Sequence, residues 1–155
     1  MTPNEKLLTT FYNAFQQKDY KTMQQCYAES ATFSDEVFRN LDTVRVRAMW
    51  EMLIKRGKDL QIEFKNIEAN ETLGSAEWIA TYTFSRSNRK VINHIHANFM
   101  FEDGKIVHHV DRFDFYKWAR QALGISGLFL GWSPFLRKKV QKSAAVGLTE
   151  FLNKR

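Results

Sequence analysis

From Leu60 to Phe115 the apolar residues fall at every second position, and this change of period constrains the chain more than any other feature. Leu60, Ile62 and Phe64 alternate with Gln61, Glu63 and Lys65; Trp78, Ala80, Tyr82 and Phe84 alternate with Ile79, Thr81 and Thr83. Successive side chains of a strand point to opposite faces, so the pattern predicts half-buried strands. Ser87-Asn88-Arg89 turns the chain into Val91–Phe101, and Asp103-Gly104 is a hairpin signal into Ile106–Phe115. A meander of four antiparallel strands is the consequence.

Helical spacing governs what precedes it. Thr2-Pro3-Asn4-Glu5 supplies an N-cap hydroxyl, a proline at the first helical position and a capping-box glutamate, followed by Leu8, Phe11, Tyr12 and Phe15 on one stripe. A second short helix is expected from Asp19, with Tyr20, Met23 and Tyr27 on one side, and Ala31–Asp35 reads as a short strand. Asp42 caps a third helix whose apolar face is Val46, Met49, Trp50 and Leu53 and which Gly57 ends. After the strands, a helix through Trp118, Ala119, Ala122 and Leu123 ends at Gly124, and Ser133-Pro134 starts a last one carrying Leu136, Val140, Ala144, Leu148 and Phe151. The order gives an α+β domain with helices over one face of a curved antiparallel sheet.

At 155 residues and 44% hydrophobic content, the chain is the size of one domain. No apolar run approaches the roughly 20 residues of a membrane span, and no secretory signal is visible at Met1–Lys6. The lone Cys26 excludes an intrachain disulfide, which fits a reducing, cytoplasmic setting. The net charge of +6 is unevenly placed. From Phe115 onward eight Lys and Arg face the single acid Glu150, a net of +7, whereas Met1–Asp114 holds 15 basic and 16 acidic residues, a net of −1. No nucleic-acid motif accompanies the charge, so nucleic acid is not an expected partner.

Several local motifs resemble the nuclear transport factor 2-like superfamily, in its SnoaL-like and ketosteroid-isomerase-like branch. They are Phe11-Tyr12-Asn13-Ala14-Phe15 before Lys18-Asp19-Tyr20, Cys26–Phe33, Phe99–Ile106, and Asp111 through Gln121-Ala122-Leu123-Gly124. The resemblance implies a cone-shaped barrel with an apolar pocket between the sheet and the N-terminal helices on its concave face, in a homodimer formed sheet against sheet. Residues 1–124 are then the SnoaL-like domain, and 125–155 a C-terminal helical extension packed on it. The superfamily hosts isomerases, cyclases, dehydratases, epoxide hydrolases and binding modules, so the resemblance fixes no reaction.

Alternation sorts the polar residues by face. With Phe99 and Phe101 inward, Ala97, Ile95 and Asn93 are inward too, and His94, His96, Asn98 and Met100 face out. The i, i+2 spacing of His94 and His96 would suit a metal, but no third histidine or matching acid is evident, and neither a metal nor a cofactor is expected. On the last strand Val107, His109, Asp111, Phe113 and Phe115 share the inward face. Asp111 is the first candidate for proton transfer and His109 the second, as the group that holds or exchanges its proton. The alternative is a buried pair that only anchors its neighbours. Asp35 ranks third: it aligns with the general-base aspartate of ketosteroid isomerases, whose oxyanion donors are replaced here by Phe11 and Ala97. The late-strand acid resembles the SnoaL-like cyclases. Epoxide hydrolases of this superfamily use acids with an arginine, for which Arg89, Asn93 and Tyr82 have suitable types.

Tyr12, Trp50, Trp78, Tyr82, Asn93 and Phe113 are the candidate substrate-binding residues, with ordinary core packing as the competing reading of the aromatic ones. Two functions remain open. One is a pocket protein for a small apolar ligand bearing a carbonyl or hydroxyl group, with general acid–base isomerisation, cyclisation or hydration. The other is a non-catalytic dimeric module whose basic tail contacts an acidic surface. The dimer would use the outer face through Ile79, Thr81, Thr83, His94, His96 and Met100. Leu128–Phe151 is expected to fold back on its own domain rather than meet a membrane surface.

Overall fold

The start signals act where they stand in a computed structural model of the chain, which describes every residue from Met1 to Arg155. Thr2 and Glu5 exchange hydrogen bonds in a capping box that opens α1 (Pro3–Gln16). Asp19 caps α2 (Tyr20–Gln25), and Asp42 caps α3 (Thr43–Arg56). Tyr27 is not on α2, where helical spacing puts it. It opens β1 (Tyr27–Ser34), because its hydroxyl is drawn to partners across the core rather than along the helix. The short β2 (Leu41–Asp42), which lacks any alternation to announce it, runs into α3.

The expected meander follows as β3 (Gln61–Ala69), β4 (Leu73–Phe84), β5 (Arg89–Glu102) and β6 (Lys105–Arg112), each antiparallel to the next. One six-stranded sheet results, in the order β2-β1-β6-β5-β4-β3, with β1 parallel to β6. The curved sheet stays open, since β2 and β3 are its two edges, and α1 against β3 and α3 against β1 cover its concave face. Burial along β5 alternates without a break: Val91, Asn93, Ile95, Ala97, Phe99 and Phe101 are inside and the residues between them outside.

Asp103 and Gly104 both take positive φ, 50° and 74°, as the tight β5–β6 hairpin requires. Just beyond it Phe101 pairs with Ile106 but Met100 with His108, so Val107 is the extra residue of a bulge. The bulge turns Ile106 inward in place of Val107, and His109 and Asp111 keep the inward face. β6 also ends sooner than its alternation suggests. Asp114 Oδ1 accepts from the Lys117 N–H at 3.1 Å and caps α4 (Phe115–Leu123), so Phe115 is helical. β5 outlasts β6, and the Gln121 side chain takes the missing strand's place. It accepts from the Ile92 N–H at 2.8 Å and donates to the Ile92 carbonyl at 3.1 Å.

α4 thereby lies across one end of the concave face, where Phe115, Trp118, Ala119 and Ala122 gather around Val91 and Leu136. α5 (Ile125–Leu130) folds back on α4, and α6 (Pro134–Asn153) packs along α3. Leu136 and Leu148 are buried, Arg137 pairs with Glu36 at 2.7 Å, and Arg155 pairs with Glu51 at 2.9 Å. Leu128, Phe129, Leu130, Trp132 and Phe135, expected to pack on the domain, are instead exposed. α5 presents only Gly127 to α4, so its larger side chains point away.

Candidate active site

The concave face is dominated by aromatic rings from α1, α3 and the sheet. Phe15 meets Trp50 and Trp78 at 5.0 and 5.3 Å, and Tyr12 stacks on Phe64 at 5.5 Å. His109 is completely buried among them, with Phe99 at 4.2 Å and Phe33 at 4.9 Å between ring centres. A polar group in such a place must find its hydrogen bonds inside the protein.

It finds them in a chain of four side chains. Trp50 Nε1 donates to the Tyr27 hydroxyl at 2.9 Å, the hydroxyl lies 2.8 Å from His109 Nδ1, and His109 Nε2 lies 2.9 Å from Asp111 Oδ1. The direction follows from the inventory of donors. Indole N–H can only donate, so the Tyr27 proton is free to go to His109 Nδ1. In that arrangement the proton of His109 is on Nε2, which donates the hydrogen bond to Asp111 Oδ1. Trp78 Nε1 adds a second, longer bond to the same oxygen at 3.4 Å. Trp50 comes from α3, Tyr27 from β1, His109 and Asp111 both from β6, and Trp78 from β4.

Tyr12 stands next to this chain, its ring 6.3 Å from that of Trp78. Its hydroxyl is the one sealed side-chain polar atom of the molecule without a hydrogen-bond partner. Burial, reinforced by the charge of Asp111, holds that hydroxyl well above the usual phenol range, so it remains a donor. Burial raises the Tyr27 hydroxyl in the same way, against the opposing pull of the Trp50 hydrogen bond.

Asp35 follows β1 one residue beyond the Ser34–Val110 pair, which puts it level with Asp111 on β6. Its Oδ1 accepts from the backbone N–H groups of Val37 at 2.7 Å and Phe38 at 2.6 Å. Burial nevertheless pushes its carboxyl up to about 7, outweighing those two donors, with the charges of Asp111 and Glu36 adding to the rise. The two carboxyl groups are therefore held differently, Asp111 buried against a histidine and Asp35 half-buried in a turn.

The other residues singled out in the sequence divide by depth. Trp50, Trp78 and Asn93 are buried on the concave face; Tyr82 and Phe113 are half-buried nearer α4, where the Tyr82 hydroxyl accepts from Trp118 Nε1 at 2.8 Å. Val37, Tyr82 and Phe113 touch both the main core and the smaller cluster under α4 and α6, marking the seam between them. Arg89 does not join the acids: its guanidinium binds the Gln121 carbonyl at 2.8 Å outside the sheet. His94 and His96 face outward, His96 against Glu77 at 3.2 Å. Tyr27 is the member of the hydrogen-bond chain that helical spacing obscured, and the Ala28–Phe33 segment after it was the available signal for a strand. Two open surface depressions, one beside Arg47 and Lys105 and one beside Asn4 and Asn70, do not reach Asp111.

Comparison with known proteins agrees with this architecture. Residues 8–109 match the family model of the SnoaL-like domain. No curated protein sequence matches the chain. Among solved structures, an LEH-like epoxide hydrolase of M. tuberculosis superposes with a TM-score of 0.63 at 18% identity, over 86% of this chain and 95% of that one. An NTF2-like protein of unknown function from Burkholderia pseudomallei gives 0.68 at 15% identity, over 78% and 98%. A candidate polyketide cyclase from Xanthomonas campestris gives 0.64 at 17% identity, over 77% and 96%. At these identities the likeness is one of fold.

Proposed function

We propose that this chain, which belongs to the SnoaL-like domain family, binds a small apolar molecule bearing a carbonyl group and moves a proton on it by general acid–base chemistry. The observation that carries the proposal is the hydrogen-bond chain from Trp50 through Tyr27 and His109 to Asp111, together with the unpaired Tyr12 hydroxyl, whose ring packs 6.3 Å from that of Trp78. Burying so many polar atoms among rings costs stability unless every one is satisfied, and the Tyr12 hydroxyl is left unsatisfied.

Asp111 is the base. It takes a proton from the carbon next to the carbonyl while the Tyr12 hydroxyl donates to the oxygen on which charge develops. The proton returns to a second carbon in an isomerisation, or to the alkoxide formed when the carbanion closes a ring. His109 positions Asp111 through its Nε2–H, and Tyr27 and Trp50 keep His109 in that tautomer. Trp50 and Trp78, whose rings meet edge to face at 6.2 Å, form one wall for the ligand, with Asn93 toward α4, and the seam at Val37, Tyr82 and Phe113 is the proposed route to it. The polyketide cyclase and epoxide hydrolase named above share the fold in which this is proposed; the outlying position of Arg89 favours proton abstraction over epoxide opening.

A second reading rests on the complete enclosure of His109 by aromatic rings: the interior is a core and the protein a non-catalytic binding module. A panel of enolisable ketones and epoxides separates the two. The enzyme reading expects at least one ketone to exchange its α-protons with deuterated water in the presence of the protein and to raise its melting temperature. A folded protein inert to the whole panel supports the module.

A further inference from the structure

The chain turns a run of exposed apolar side chains outward from the α4–α5–α6 corner, after the last strand. Ile125, Phe129, Trp132 and Phe135 are 76%, 66%, 72% and 71% exposed, with Leu128 and Leu130 about half-exposed between them. Large apolar side chains scattered singly over a surface need no explanation, but six within eleven consecutive residues do.

The segment is not a frayed loop. A Cβ on Gly127 would lie 1.9 Å from the Ala119 carbonyl oxygen, so the backbone of α5 touches that of α4. The Tyr116 hydroxyl donates to the Leu128 carbonyl at 3.0 Å, Trp132 Nε1 donates to the Phe129 carbonyl at 2.8 Å, and Ser133 Oγ donates to the Leu130 carbonyl at 2.7 Å. The backbone is pinned from within and the apolar side chains are held outward. Around them stand Lys117 and Arg120 on α4 and Lys138, Lys139 and Lys142 on α6, all exposed, and no acid occurs between Phe115 and Thr149.

We infer that this corner is a docking surface for an anionic lipid bilayer, with Phe129, Trp132 and Phe135 seated among the headgroups and the lysines over the lipid charge. Protein–protein interfaces are depleted in lysine, whereas aromatic and leucine side chains ringed by lysine are the composition of interfacial membrane anchors. No helix of the chain is long and apolar enough to cross a membrane, so the contact is one of surface seating.

The test is co-sedimentation with vesicles of phosphatidylcholine containing roughly one quarter phosphatidylglycerol, against vesicles of phosphatidylcholine alone. The full chain should sediment with the anionic vesicles and be released as salt screens the charge. Phe129→Ser with Trp132→Ser should weaken binding by about tenfold or more with the fold kept, since both side chains are exposed and only the local Trp132 bond to the Phe129 carbonyl is lost. Should that variant misfold, Lys138→Glu with Lys139→Glu tests the same surface and should abolish anionic-vesicle binding. Failure of the wild-type chain to sediment overturns the inference. So does equal sedimentation of the folded variants, or a dimer that Phe129→Ser with Trp132→Ser converts to monomer, which would make a second copy the occupant.

Discussion

Asp35, one residue past the end of β1, lies level with Asp111 on the neighbouring β6, yet the chain treats them differently. Asp111 is built into side-chain hydrogen bonds from His109 and Trp78, while Asp35 leans on backbone N–H groups and is pushed up to about 7 by burial. A carboxyl whose folded value lies above its unfolded value near 4 binds more protons in the folded state, so its contribution to stability is present below about pH 4 and is lost as pH rises toward 7. Asp35→Asn keeps an acceptor for Val37 and Phe38 but cannot ionise. Its stability relative to wild type should therefore increase between pH 4 and 7, measured by urea unfolding at a series of pH values; parallel curves would show that Asp35 is not held up by burial. Inwardness of Asp111 and His109 was legible in the sequence because a strand's period is two. The link through Tyr27 was not, since Tyr20, Met23 and Tyr27 also fit a helical stripe and nothing local distinguishes a helix side from a strand start.

Elements were easiest to read where a cap or an alternation marked them. The Thr2–Glu5 capping box, the Asp42 cap and the β5 alternation all stand where the residues put them. Elements set by distant partners were harder. β2 exists because Leu41 and Asp42 pair with β1, and α4 begins at Phe115 because β6 has run out of helix-free chain at the Asp114 cap. The largest correction is α5, whose apolar residues looked like core. Gly127 explains it: a helix that touches its neighbour through a glycine backbone cannot also bury its large side chains there. Gly127→Ala should push α5 off α4, and the amides of Ile125–Leu130 should lose about tenfold or more of their protection from hydrogen exchange. Unchanged protection would mean that the close approach is not what holds α5.

At the scale of the molecule, an open curved sheet covered by two helices leaves its convex face free. Ile92, His94, His96 and Met100 are exposed there, a mixed surface on which we propose a homodimer, sheet against sheet. Light scattering should give twice the 18.3 kDa chain mass, and a concentration-independent monomer would refute it. The proposed chemistry uses none of the exposed residues of α5, so loss of vesicle binding and loss of activity are separable. The central claim is that Asp111 acts on a ligand rather than only anchoring His109, and Asp111→Asn with His109→Gln tests it most directly when turnover and melting temperature are measured together on a ketone that the wild-type protein accepts. A catalytic Asp111 predicts turnover reduced by a factor of roughly 10² or more in Asp111→Asn, with a smaller loss in His109→Gln and the fold kept in both. Undiminished turnover in Asp111→Asn, or two variants that lose only about 1–3 kcal/mol of stability, would contradict it.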